Sequence, residues 1–354
     1  MIHDGRVDAD RVDTAIEECL RSAEQYPAMV VGVSTLDRRW VRVRGAATGD
    51  TLFELGSITK VFTGLLLAVA EVRGEARLDE PLQDLISGVP VPAGRSGRPI
   101  RLSHLATHTS GLPRIPVGLL RQIRGDLRDP YAGVDAPWLY ASLAATRLPA
   151  WRQPGRRYKY SNLGMGLLGH ALARRLTGGA DTRGEDYHRM VEERICAPLG
   201  LVDTVHVPAG DQVDRLAPGH NGAGRPTPHW DLAALAGAGG LRATAGDLLT
   251  FLDAQLAVAT GRTAELPTAL PAELAEAMAS THPVWYAGRR VRVGLAWHIN
   301  PRGEPEVWWH DGGTGGGASV GGFVPAEGLA IVVLANRARA VWRTAMTLRK
   351  ALQS

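Results

Sequence analysis

Stretches at the two ends of this chain carry the strand-like patterns, and little between them does. Near the start, "AMVVGVSTLDRRWVRVRGAA" (28–47) reads as two strands around a turn at Asp37-Arg38, a hairpin. Near the end, "RRVRVGLAWHI", "PEVWWHDG", "GASVGGFVP" and "LAIVVLANR" follow one another. The stretch 75–235 instead shows helical patterns such as "PWLYASLAATRL" and "NLGMGLLGHALARRLTG". Pro- and Gly-rich loops, "SGVPVPAGRSGRPI" and "NGAGRPTPHW", interrupt them. Strands at both ends must meet to bury their apolar faces. The pattern therefore predicts an α+β protein, an α/β sandwich whose central antiparallel sheet is formed by both chain ends and flanked by helices. The sheet unit takes 1–74 and 236–354, and 75–235 forms an inserted, mainly helical lobe. Helices are predicted over 11–24, over 57–72, after a capping box from Thr244 to Asp247, and over about 339–353. With 354 residues, 45% apolar and 21% charged, the chain has material for a full core.

The formal charge is +4, but arginines are scattered among acids with no run of five or six like charges. This is a solvated basic surface, and no nucleic-acid partner is expected. Cys19 and Cys196 stand far apart, with neither a CxxC nor a zinc spacing. The first twenty residues lack an apolar signal core, and the longest apolar run, around "VFTGLLLAVAEV", is too short to span a bilayer. A soluble cytoplasmic protein with no membrane partner is expected. The oligomeric state is left open.

Only three of the forty basic side chains are lysine: Lys60, Lys159 and Lys350. Lysine and arginine are both good helix formers, so propensity does not explain Lys60. Chemistry does, because a desolvated ammonium can lose its proton and a guanidinium cannot. Lys60 stands three residues after Ser57, on the same helix face. A helix start at Ser57 favours developing negative charge, and a neutral Lys60 can take the serine proton.

Tyr160-Ser161-Asn162 precedes a helix. A tyrosine near cations can shuttle protons and an asparagine amide can hold a substrate carbonyl; the plainer reading is a helix cap at Ser161. "WWHDGGTGGGASVGGFVP", containing His310, is glycine-rich but has no GK[ST] ending and no following helix, which argues against a phosphate loop. Its glycines let a ligand approach a strand, and their N–H groups can serve an oxyanion hole. His104 and His108 have the i, i+4 spacing of a zinc pair, but no HExxH and no third ligand accompany them, and they are read as structural. Lys159 is read as solvated. Of Trp308 and Trp309, one is expected in the core and the other near the pocket, depending on register.

Taken together, Ser-x-x-Lys, Tyr-x-Asn and a glycine-rich third motif resemble the serine β-lactamase and penicillin-binding-protein family, in the class C branch with its esterase and D-aminopeptidase relatives. "LSHLATHTSGLP" (102–113) and "GAGGLRATAGDL" (237–248) are similar to recurrent segments of that branch. The resemblance implies a β-lactamase/transpeptidase-like catalytic unit acting through an acyl-enzyme, with no metal and no cofactor. It makes Ser57 the nucleophile, Lys60 its base, Tyr160 the proton carrier to the leaving group and Asn162 the substrate's anchor. His310 would support Tyr160, and the backbone N–H groups of Ser57 and Gly313, beside Gly312, would form the oxyanion hole. The family's lysine-threonine pair is His310-Asp311 here. An aspartate there repels a substrate carboxylate unless it points away, which counts against efficient penicillin cleavage. The expected substrate is a small-molecule or peptide-like ester, amide or peptide. The alternatives are transfer of the acyl group to an amine or alcohol, as in peptide-releasing or cyclising enzymes, and a non-catalytic binding module.

Overall fold

The structure is a computed structural model and describes residues 9–94, 97–123, 128–149, 151–179, 182–300 and 305–353. Its strands in chain order are β1 (Ala28–Ser34), β2 (Arg39–Gly45), β3 (Phe53–Glu54), β4 (Arg242–Ala243), β5 (Tyr286–Ala287), β6 (Arg292–Val293), β7 (His298–Ile299), β8 (Trp308–Gly313), β9 (Ala318–Val324) and β10 (Leu329–Ala335). Eight of them form one antiparallel sheet in the order β2-β1-β10-β9-β8-β7-β6-β5, and β3 and β4 form a separate pair. The two chain ends meet where β1 pairs with β10, Met29 opposite Ala335 and Val33 opposite Ile331.

Every residue of β1 and β10 is buried, as a nearly continuous apolar run requires when both faces of a strand are covered. On one face Met29, Val31, Val33 and Val333 meet Val12 and Ile16 of the Ala9–Arg21 helix and Leu348 of the Trp342–Gln353 helix. On the other, Val30, Val332 and Leu334 join Leu248, Leu249 and Leu252 of the Ala245–Thr260 helix. The edge strand β2 carries charge instead: Arg42 pairs with Asp13 and Arg39 with Asp253. Charged edges of this kind resist the addition of a further strand.

The Thr59–Val72 helix is buried at every position from Thr59 to Ala70. Its leucines 65–67 share one apolar cluster with Leu105, Leu167 and Leu168 of the 75–235 stretch. That stretch supplies the helices Leu102–Ala106, Ala136–Ala145, Asn162–Thr177 and Glu185–Val191, and no sheet strand among the described residues. No helix of the described residues is long and apolar enough to cross a membrane.

Two local expectations differ in detail. "RRVRVGLAWHI" is not one strand but β6 and β7 around a tight turn, with the Gly294 N–H donating to Trp297 O at 2.9 Å. The turn frees two donors for helix ends: Leu295 N–H bonds Thr281 O and Ala296 N–H bonds Ala106 O, each at 3.0 Å. It also buries Trp297 against Phe251 and Phe323. The capping box is only half made. Thr244 Oγ1 accepts the Asp247 N–H at 3.1 Å, while the Asp247 carboxylate turns to Asp203 N–H and the Thr204 hydroxyl.

Candidate active site

Ser57 lies in a 3-10 turn, Gly56–Ile58, that leads into the Thr59–Val72 helix. From Thr51 to Ala70 it is the one residue that is not buried. The turn is fixed from three sides. Leu55 N–H donates to Leu241 O at 2.9 Å, Leu241 N–H donates to Thr59 Oγ1 at 3.1 Å, and Ser319 Oγ–H donates to Leu55 O at 2.7 Å. Gly56 has φ +50°, and a Cβ there would lie 2.7 Å from Gly313 N. A Cβ on Gly312 would lie 2.0 Å from Leu55 O and 3.0 Å from Ser57 N. Only glycine lets β8 and the Ser57 turn approach this closely. The serine and the end of β8 therefore share one wall.

Lys60 is wholly buried, with Nζ 2.8 Å from Ser57 Oγ and 2.5 Å from Ala238 O. Desolvation, reinforced by the Arg114 charge, holds its pKa well below the usual lysine value, and Asp311 opposes this. An amine so placed is a base rather than a fixed cation.

Tyr160 lies close enough to Ser57 for the serine hydroxyl to lower the proton affinity of the phenol. Lys60 Nζ is 5.0 Å from its ring centroid and Arg114 Cζ is 5.2 Å from it. Burial pushes the phenol above its ordinary pKa; the nearby Ser57 hydroxyl opposes this, and Asp311 adds to it. Tyr160 is thus a neutral donor at rest, and Lys60 is the group able to accept the first proton.

The segment bearing Tyr160 is stitched to residues 108–114. Lys159 N–H donates to His108 O at 2.7 Å, Ser161 N–H to His108 Nδ1 at 3.2 Å, and Asn162 N–H to Arg114 O at 2.8 Å. The His108 ring lies against Tyr160 with centroids 4.4 Å apart. His108 has φ +56° and follows the end of the Leu102–Ala106 helix, so it shares no helix face with His104. His104 Nδ1 instead accepts the Arg101 N–H at 3.1 Å. Ser161 caps the Asn162–Thr177 helix, its Oγ accepting the Gly164 N–H at 2.9 Å. The Asn162 Oδ1 is buried without a protein partner.

His310 is buried and does not touch the Tyr160 hydroxyl directly; their ring centroids are 6.3 Å apart. Its Nδ1 donates to Asp311 O at 2.7 Å, and its ring stacks on His298 at 4.7 Å. Asp311 does not point away from the site. It acts electrostatically on Lys60, Tyr158 and Tyr160, and burial raises its pKa. Of the two tryptophans, Trp308 stacks on Phe323 and Trp309 lies against His298.

The structure brings Ser57, Lys60, Tyr160, Gly312 and Gly313 together, with Asn162, His310 and Asp311 around them. The sequence reading passed over three neighbours, Arg114, Tyr158 and His298, and took a fourth, His108, as structural. His108 lies within a segment already marked as recurrent, but nothing local ties it to a tyrosine fifty-two positions on.

Comparison with known proteins places the chain in a family. The chain is 29% identical over 296 residues to the D-alanyl-D-alanine-carboxypeptidase/endopeptidase AmpH of Escherichia coli K12, covering 81% of this chain and 71% of that one. It is 27% identical to a beta-lactamase of Pseudomonas fluorescens, covering 82% of this chain and 80% of that one. Among solved structures, a beta-lactamase/D-alanine carboxypeptidase from Pseudomonas syringae superposes with a TM-score of 0.79 at 22% identity, over 97% of this chain and 98% of that one. A class C beta lactamase from Rhodobacter sphaeroides gives 0.75 at 26% identity, over 98% and 99%. The fold is the beta-lactamase/transpeptidase fold. With its family match running from residue 12 to residue 353, the chain belongs to the beta-lactamase family and is a hydrolase of its class C-like branch.

Proposed function

We propose that the chain hydrolyses an ester, amide or peptide-like bond through an acyl-enzyme on Ser57, with Lys60 as the base. The observation that carries this reading is the 2.8 Å contact between Ser57 Oγ and a fully buried Lys60 amine whose proton affinity is depressed. Ser57 Oγ attacks the substrate carbonyl carbon and its proton passes to Lys60 Nζ. The oxyanion forms against the N–H groups of Ser57 and Gly313, the two backbones held in contact by Gly56 and Gly312. Tyr160, beside Ser57 and Lys60, gives its proton to the leaving group and is reprotonated from Lys60. In the second step water attacks the ester carbonyl, its proton returns along the same path, and Ser57 is released. Asn162 Oδ1, which lacks a protein partner, is placed to accept an N–H from the acyl side of the substrate.

The charges around the site favour a leaving group without a carboxylate. Asp311 lies beside the site on β8, and its negative charge, where ionised, repels a substrate carboxylate by about 1 kcal/mol or more. This supports neutral esters and amides over substrates with an anionic leaving group.

Intact-mass spectrometry of the wild type and Ser57→Ala against activated esters, thioesters and β-lactams tests the reading. A mass increase in the wild type that is absent in Ser57→Ala is expected, with decay of the adduct for turned-over esters. Adducts that persist in Ser57→Ala, or none from any class in folded protein, would refute it.

A further inference from the structure

The strand pair that carries the third motif also holds a set of metal-binding side chains. His298 on β7, and His310 and Asp311 on β8, each offer one donor atom, and these atoms all lie within 4.8 Å of one another. The register that pairs His298 with Trp309 sets His298 beside its neighbour His310. The two imidazoles stack with an interplanar angle of 23°.

In each ring one nitrogen is engaged and the other is not. His298 Nε2 is 3.0 Å from the Tyr158 hydroxyl. His310 Nδ1 faces a carbonyl oxygen, which only accepts, so that nitrogen carries the proton. His298 Nδ1 and His310 Nε2 are buried without a protein partner, in residues 8% and 1% exposed. A buried lone pair left unmatched, as on His310 Nε2, is costly; where His298 Nε2 donates to the Tyr158 hydroxyl, His298 Nδ1 carries a second one, and a cation shared with the carboxylate would satisfy both. Asp311 is half-buried and has no ion-pair partner among the described residues.

We propose that His298, His310 and Asp311 form a site for a divalent ion of the zinc class, and that the ion switches the serine chemistry off. Two imidazoles and one carboxylate are the donor set of borderline transition metals, not of calcium or magnesium. The engaged nitrogens supply the outer contacts that hold a ligating imidazole in orientation: Tyr158 for His298, and the Asp311 carbonyl for His310. Donors on a tetrahedral zinc sit roughly 3.3 Å apart. Rotation of the half-buried Asp311 side chain would close the remaining gap. Bound there, the ion neutralises Asp311, the group that opposes the loss of the Lys60 proton, and places positive charge beside Tyr160, whose ring centroid lies 6.2 Å from that of His298 and 6.3 Å from that of His310. Lys60 then cannot accept the Ser57 proton without building charge against charge. The site itself does not depend on the Ser57 reading; the switch rests on it.

The test uses the full chain, stripped with a chelator and then titrated with Zn²⁺ by calorimetry and with Co²⁺ by visible ligand-field absorption. Fluorophosphonate labelling of Ser57 is followed in parallel. One equivalent of zinc is expected to bind and suppress labelling, with recovery on adding chelator. Asp311→Asn and His298→Gln should each weaken zinc binding by about tenfold or more, with melting temperature and circular dichroism showing that both variants fold. Absence of stoichiometric binding, or unchanged affinity in both variants, would overturn the site. Zinc bound with labelling undiminished would overturn the switch alone. If the metal-free enzyme is never labelled, the hydrolase reading falls and the switch with it, and calorimetry still decides the site.

Discussion

Lys60 shows how one residue sets stability against chemistry. Its folded-state pKa lies below the unfolded value, because burial disfavours the ammonium. The unfolded chain therefore takes up the proton first as pH falls. The resulting cost to the fold is absent above the unfolded pKa of about 10.4. It grows as pH drops and is complete below the folded pKa. Lys60→Met is expected to raise the melting temperature at pH 7, by on the order of 1–2 kcal/mol of stability. That gain should shrink towards zero near the lysine pKa, which thermal melts across pH will check. The same variant should lose about a thousandfold or more in kcat/KM towards a p-nitrophenyl ester. Lys60→Arg separates charge from basicity. A guanidinium keeps the cation and cannot give up its proton, so activity should not return. If Lys60→Arg retains wild-type turnover, the lysine is not the base. In the wild type, the acid limb of kcat/KM should lie at a pH well below the ordinary lysine pKa, since the free enzyme's active form carries a neutral Lys60.

At the scale of elements, the site is a junction between one short turn and one strand. Gly312 is where β8 comes close to Leu55 O and Ser57 N, and any side chain there must push the two apart. Gly312→Ala should therefore cut kcat by about a hundredfold or more, the size of losing one oxyanion donor, with KM changing less. Gly49→Ala is its control, since a Cβ there meets nothing within 4 Å, and its rate should match the wild type. Steady-state kinetics on both decide whether close approach, rather than glycine content, is what matters. The Ser57–Lys60 pair was legible because i and i+3 on a helix face is a local relation. The β1 and β10 strands were legible because their apolar runs are long. The position of Asp311 was not legible, because strand alternation alone allowed it to point away. The contact of His108 with Tyr160 was invisible for a different reason. It depends on backbone bonds from 159 and 161 to His108, made across the lobe and encoded by no local pattern. The break between β6 and β7 was hidden in the same way, since the bonds that favour it go to Thr281 and Ala106.

Across the whole molecule, the sheet separates a layer that supports stability from a layer that carries chemistry. The Ala9–Arg21 and Trp342–Gln353 helices cover one face of β1 and β10, and their apolar cluster contains none of the proposed site residues. The Ser57 turn, the Thr59–Val72 helix and the lobe lie in the cluster on the other face. Glu54 ties that second layer together near the turn. Its carboxylate accepts the Trp230 N–H at 2.8 Å and the Thr314 hydroxyl at 2.7 Å, joining β3 to the segment before β4 and to the loop after β8. A perturbation behind the sheet should therefore change stability without changing catalysis. Leu348, buried on the C-terminal helix against the sheet, is the place to test this. Leu348→Ala is expected to cost about 2–4 kcal/mol, the usual range for a large-to-small change in a packed core. At a temperature where the variant is still folded, its kcat and KM should equal those of the wild type. Denaturant melts paired with ester kinetics on one preparation measure both. A fall in kcat as large as the fall in stability would mean that the two layers move as one body, and that the packing of the terminal helices reaches the Ser57 turn through the sheet.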